Sequence, residues 1–116
     1  MWLQSLAKKI ILSKKEVSLK DLSALTSYTG DEFALFTKGN ERLVIRGNRY
    51  SVNIDVEKAK ELRKQGYKWS GHTHPGTEVS SLISSEGDKI ILKTFNQEKS
   101  VIYNSKGMYE IFYREW

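Results

Sequence analysis

The sequence predicts a single α+β domain, and three observations carry that expectation. A capped, leucine-faced helix pattern runs from Ser18 to Gly30, a series of short β-rich runs separated by turn residues starts at Asp31, and a second helical pattern interrupts those runs between Asp55 and Gly66. The chain has 116 residues, enough for one core and too few for two ordinary ones. With 39% hydrophobic and 28% charged residues, it is too rich in apolar side chains to stay unfolded.

Element by element, Trp2, Leu3, Leu6, Ile10 and Ile11 recur at helical spacing with lysines between them, so residues 1–17 read as a basic amphipathic helix that closes the core or docks a partner. Residues 18–116 form the domain proper. Ser18 is an N-cap with Asp21 three residues on, Leu19, Leu22 and Leu25 share a face, and Gly30 ends the helix. Phe33 to Thr37, Leu43 to Arg46 and Tyr50 to Ile54 then read as an antiparallel meander turning at Lys38-Gly39-Asn40 and Gly47-Asn48. Asp55 caps a helix from Val56 to Gln65, which buries Val56, Ala59 and Leu62 and stops at Gly66. Tyr67 to His74 is a strand, and a loop from Pro75 to Gly87 holds the only proline. Ile90, Ile91, Leu92 and Phe95 mark a short helix or strand. Ser100 to Tyr103 and Met108 to Tyr113 close the domain as strands around a turn at Asn104–Gly107.

Composition removes several function classes. The absence of cysteine excludes disulfides, thiolate metal sites and a cysteine nucleophile. The longest apolar run, Phe33 to Phe36, is far below the roughly 20 residues of a spanning helix or the apolar stretch of about 7 or more in a signal peptide, so a cytoplasmic protein without a membrane partner is expected. The net charge of +5 is concentrated early: residues 1–20 hold five lysines against one glutamate, leaving 14 basic against 13 acidic side chains elsewhere. A nearly neutral body has no phosphate track, which argues against nucleic acid as partner. Neither a phosphate-binding glycine loop, a Gly-x-Ser-x-Gly elbow nor a third histidine is present.

Both histidines lie in His72-Thr73-His74-Pro75, where residues i and i+2 of a strand share a face. Two imidazoles on one rigid face can offer two nitrogens to one ion; the plainer reading is two polar residues at a strand end. Ser85-Glu86-Gly87-Asp88 follows through the loop, so that Asp88 can give a third, oxygen ligand, or Ser85 and Asp88 can cap the next helix, or both. Two nitrogens and one carboxylate leave a fourth tetrahedral position for water. Glu32, at the start of the first strand of the meander, is the candidate general base, with Asp31 and Glu41 as alternatives.

In this order, Glu32, then Gly71-His72-Thr73-His74-Pro75, then Ser85-x-x-Asp88, the chain resembles the JAB/MPN (JAMM) metalloprotease family over roughly residues 18–116. The spacing from His74 to Ser85 is longer than is usual in that family. The resemblance implies a JAB/MPN-like, cytidine-deaminase-like mixed β-sheet flanked by helices. It also implies Zn2+ held by His72, His74 and Asp88, Glu32 activating a water, and Ser85 helping to stabilise the oxyanion. By the same resemblance the expected activity is hydrolysis of a peptide or isopeptide bond, with a peptide or the tail of a ubiquitin-like or sulfur-carrier protein as substrate. Prokaryotic relatives in phage proteins and polymorphic toxin systems add an adaptor or immunity protein as a possible partner. Two other functions compete: a JAB-like binding module that has lost turnover, and a toxin effector acting on nucleic acid, with Trp69, Tyr67 and Tyr50 stacking bases.

Overall fold

In a computed structural model, which describes residues 9–52 and 54–114, the chain is an α+β domain built on one mixed six-stranded sheet with three α-helices. The elements are β1 (Lys9–Ser13), α1 (Leu19–Thr29), β2 (Phe33–Lys38), β3 (Glu41–Arg46), α2 (Val56–Lys64), β4 (Lys68–His74), a 3-10 turn (Val79–Leu82), α3 (Glu86–Thr94), β5 (Lys99–Asn104) and β6 (Tyr109–Tyr113). The sheet order is β1-β3-β2-β4-β5-β6, antiparallel throughout except for the parallel pair β4–β5. A parallel pair needs a crossover, and the 3-10 turn and α3 provide it.

Alternation along the central strands splits the core into two layers. Phe33, Leu35 and Val44 pack against Leu22 and Leu25 of α1 on one face. Ala34 and Phe36 join Ala59 and Leu62 of α2 and Ile91, Leu92 and Phe95 of α3 on the other. Gly71 of β4 lets α1 approach: a Cβ there would lie 2.8 Å from both Leu19 and Val101 side chains, closer than van der Waals contact allows. The expected caps form. Ser18 and Asp21 make a reciprocal capping box on α1, Gly30 at φ 78° ends it, and Asp55 accepts from the Lys58 amide at the start of α2.

Two expectations are corrected. The basic helix over residues 1–17 is not what forms at its C-terminal part: Lys9–Ser13 is an edge strand on β3, pairing Ile10 with Val44 and Leu12 with Arg42, and residues 1–8 lie outside the described ones. Neighbouring β-branched Ile10 and Ile11, with Ile10 and Leu12 turned to one face, satisfy a strand better than a helix once β3 offers an open edge. The meander also lacks its third strand at Tyr50–Ile54. Of those residues the described ones form an irregular connection whose Val52 and Ile54 anchor in the core. Of the segment 90–95, for which the sequence allows helix or strand, residues 90–94 are the end of α3 and Phe95 is its C-cap. Among the described residues, no helix is long and apolar enough to cross a membrane.

Candidate metal centre

β4 runs in the middle of the sheet, held on both sides, with His72 opposite Ala34 of β2 and beside Ile102 of β5. Its two imidazoles therefore sit on a rigid backbone and on the same face, with Nε2 atoms 3.1 Å apart. The ladder with β2 shifts register between Leu35 and Phe36, leaving Ser70 as an extra residue in β4. That bulge has a local effect on the site. Residues three apart in a regular strand face opposite ways, yet Trp69 stacks on His72 with ring centroids 4.8 Å apart, and Phe112 meets the same imidazole edge-on at 5.6 Å.

The third donor arrives on α3. Ser85 and Asp88 make a capping box in which the Ser85 hydroxyl accepts from the Asp88 amide at 3.0 Å and Asp88 Oδ2 accepts from the Ser85 amide at 2.9 Å. The same Oδ2 lies 3.2 Å from His72 Nε2 and 3.2 Å from His74 Nε2. Capping and convergence on the histidines are thus one arrangement: the cap fixes the rotamer that presents the oxygen. Glu32 closes the group from the start of β2. Its main chain is tied to the following loop, since its amide donates to Asn48 O and its carbonyl accepts from Gly47, both at 2.8 Å. Gly47 must be glycine, because a Cβ would fall 1.9 Å from Ser51 O. The Glu32 carboxylate reaches to 4.0 Å from His74 Nε2.

Glu32, His72 and His74 form a group that could hold a metal ion, their ligand atoms lying within 4.8 Å of one another. Asp88 Oδ2 is nearer to both histidines than that. A tetrahedral ion with bonds of about 2.0–2.1 Å keeps its ligands about 3.3–3.4 Å apart, and the Nε2, Nε2 and Oδ2 triangle matches that edge within about 0.3 Å. Donor chemistry fits too. His74 Nδ1 lies 2.9 Å from Ser81 O, a carbonyl that can only accept, so Nδ1 carries the hydrogen and Nε2 of the neutral ring presents its lone pair. His72 is less completely supported, because its Nδ1 is buried with no hydrogen-bond partner among the described residues.

Electrostatics follow from crowding four titratable groups into a dry place. Burial pushes the Glu32 carboxyl up to about 7, against the pull of His74 and with the help of Asp88. Burial is the largest single influence on Asp88 and on His74 and works against the charged form of each, but their partners together outweigh it. Hydrogen bonds from His72, His74 and the Ser85 amide hold Asp88 well below the usual carboxylate range, while Asp88, Glu32 and the Ser81 carbonyl raise His74. His72, fully buried, is lowered and stays neutral. Neutral His72 thus stands beside a His74 and an Asp88 that favour each other's charged forms.

All five residues singled out in the sequence, Glu32, His72, His74, Ser85 and Asp88, come together, and all but the fully buried His72 line one cleft. The alternative bases do not join them. Asp31 is paired with Arg46 at 2.7 Å, and Glu41 accepts from the Tyr67 hydroxyl at the far end of the hairpin. Trp69 and Tyr67 are buried, so of the three aromatics considered for base stacking only Tyr50 is exposed. The carbonyl of Ser81 had no signal in the sequence, since any residue supplies one. The long loop after Pro75 is what delivers it, by folding its middle into the 3-10 turn. Compared with family models, curated proteins and solved structures, the chain returns no match.

Proposed function

We propose that the protein is a zinc-dependent hydrolase of peptide or isopeptide bonds, of JAB/MPN-like type, with His72, His74 and Asp88 as ligands and Glu32 as the proton carrier. The observation that supports it most is the triangle of donor atoms at 3.1, 3.2 and 3.2 Å with a fourth, non-touching carboxylate at 4.0 Å from one corner. The element order also supports it: helix, glutamate, hairpin, helix, histidine strand, capped helix, parallel strand.

When bound, zinc supplies Lewis-acid polarisation of a carbonyl and makes water nucleophilic at neutral pH. The protein's own groups do the rest. Glu32 is buried and, among the described residues, has no ion pair closer than the 4.0 Å to His74, so its carboxylate can take a proton from an attacking water and return it to the leaving amine. Ser85 uses its oxygen as acceptor within the cap and keeps its hydroxyl hydrogen for an oxyanion. Trp69 and Phe112 keep water away from His72, and Ser81 fixes the tautomer of His74.

Elemental mass spectrometry of protein purified without chelator tests the ligand set: about one zinc per chain is expected, lost in His74→Ala and Asp88→Ala. Glu32→Gln should retain the zinc and lose amide hydrolysis by about 10²- to 10⁴-fold. Wild-type protein that takes up no zinc, or a Glu32→Gln variant as active as wild type, would overturn the proposal.

A further inference from the structure

From the walls of the cleft beside the histidines, we infer that the site takes an internal amide bond flanked by an apolar side chain, and not the bond to a free C-terminal residue. The inference rests on the hydrolase reading and adds a substrate class to it.

The cleft has a volume of about 420 Å3, within the range of about 300–1,000 Å3 of small-ligand sites, and shares Glu32, His74 and Asp88 with the candidate metal centre. Its walls are largely aliphatic and aromatic: Tyr50, Val52 and Ile54 come from the connection between β3 and α2, Val56 from the start of α2, and Ile90 and Ile91 from α3. Val52, Ile54 and Ile91 also anchor in the core, but Tyr50 and Ile90 are 84% and 53% exposed. An apolar side chain laid between them removes their surface and its own from water, the main favourable term available here.

The charge of the lining is as informative as its polarity. The acidic groups are Glu32, Asp55 and Asp88, and among the described residues no lysine or arginine lines the cleft. Asp55 accepts from the Lys58 amide at 2.8 Å, which holds one of its oxygens at the start of α2. A substrate ending in a free α-carboxylate one residue beyond the scissile bond would bring that charge into a lining whose one carboxylate outside the metal centre, Asp55, repels it, and with no guanidinium or ammonium to receive it; this holds with Glu32 replaced and Asp88 on zinc. A chain that continues as neutral peptide meets no such repulsion. Apolar walls select what flanks the bond, and the missing cation excludes the chain end.

Three probes test this on zinc-loaded Glu32→Gln protein by calorimetric titration: a tripeptide blocked at both ends with leucine at its centre, its aspartate counterpart, and the leucine peptide with a free C-terminal carboxylate. The blocked leucine peptide should bind about tenfold tighter than either of the others. Tyr50→Ala and Ile90→Gln, both at exposed positions that leave the core intact, should each weaken it several-fold and leave the aspartate peptide unchanged. Equal affinity for all three, tighter binding of the free carboxylate, or no binding of any at about 1 mM would overturn the inference. Repeating the titration after chelation separates it from the hydrolase reading: leucine selectivity that persists while wild-type protein cleaves nothing sinks only the latter.

Discussion

On one face of the sheet, Thr73 is fully buried between α1 and β2, where its hydroxyl bonds with that of Thr26 and accepts from the Phe33 amide at 2.9 Å. On the other face, its neighbours His72 and His74 stand beside Asp88 and an open cleft. The three residues share one backbone and differ only in which way the pleat turns them. The α1 face satisfies its polar groups internally and closes with apolar packing. The opposite face leaves titratable groups crowded together and partly unsatisfied, with His72 Nδ1 unpartnered among the described residues and burial raising Glu32. Satisfied polar groups hold a fold; unsatisfied ones, kept in place by that fold, are what a metal or a substrate can use.

The largest expected effect comes from exchanging the roles. His74→Ala should abolish zinc binding while leaving a folded protein, because two remaining ligands rarely hold the ion. Thr73→Val should keep the zinc and lose about 1–3 kcal/mol of stability, since it strands the Phe33 amide and the Thr26 hydroxyl in a buried layer. Zinc content and urea melts of the two variants check this. Loss of zinc in Thr73→Val would mean that the two faces are coupled through β4.

A smaller effect separates the faces by pH in chelator-treated protein. Glu32 is raised by burial from 4.5 to about 7, and a raised carboxyl gives stability that is present below its unfolded value and lost as pH climbs through the folded one. His74, raised above 6.5 because its partners outweigh burial, acts in the same direction. His72 is lowered by burial and opposes them, chiefly below its ordinary value of 6.5 and fading above it. Above that value the two raised groups dominate: metal-free protein should lose about 1 kcal/mol between about pH 6.5 and pH 8, by urea titration. Zinc-loaded protein should show the reverse, because binding releases protons from the same groups. A metal-free curve that rises over this interval would place Glu32 and His74 elsewhere on the titration scale.

The site was more legible in the sequence than the fold around it. His72 and His74 announce a shared face through strand alternation alone, and Ser85 and Asp88 announce a cap through helix chemistry. Both signals are local, so they survive ignorance of the topology. β1 was missed because Ile10, Ile11 and Leu12 fit a helix or a strand, and only the open edge of β3, a partner about thirty residues away, decides between them. The connection at 50–54 was misread for the mirror reason: its apolar residues are there to line a cleft and anchor in the core, and no free edge of β3 remains for a strand once β1 and β2 flank it. The bulge at Ser70 and the Ser81 carbonyl were invisible, the first because register is a property of two strands, the second because a main-chain carbonyl leaves no mark in sequence.

The smallest effect tests how the cap and the site share Asp88. In Ser85→Ala the hydroxyl that receives the Asp88 amide is gone, which costs about 1 kcal/mol, or about 4 °C in a domain of this size. The other half of the box is main chain: the Ser85 amide still donates to Asp88 Oδ2, so the oxygen stays 3.2 Å from both imidazoles. Zinc content should therefore be unchanged while thermal stability falls, and turnover should fall with the lost hydroxyl hydrogen. A variant that loses zinc would show that the rotamer of Asp88 depends on the whole reciprocal pair. One that keeps full turnover would confine Ser85 to the helix end and leave the oxyanion to another donor.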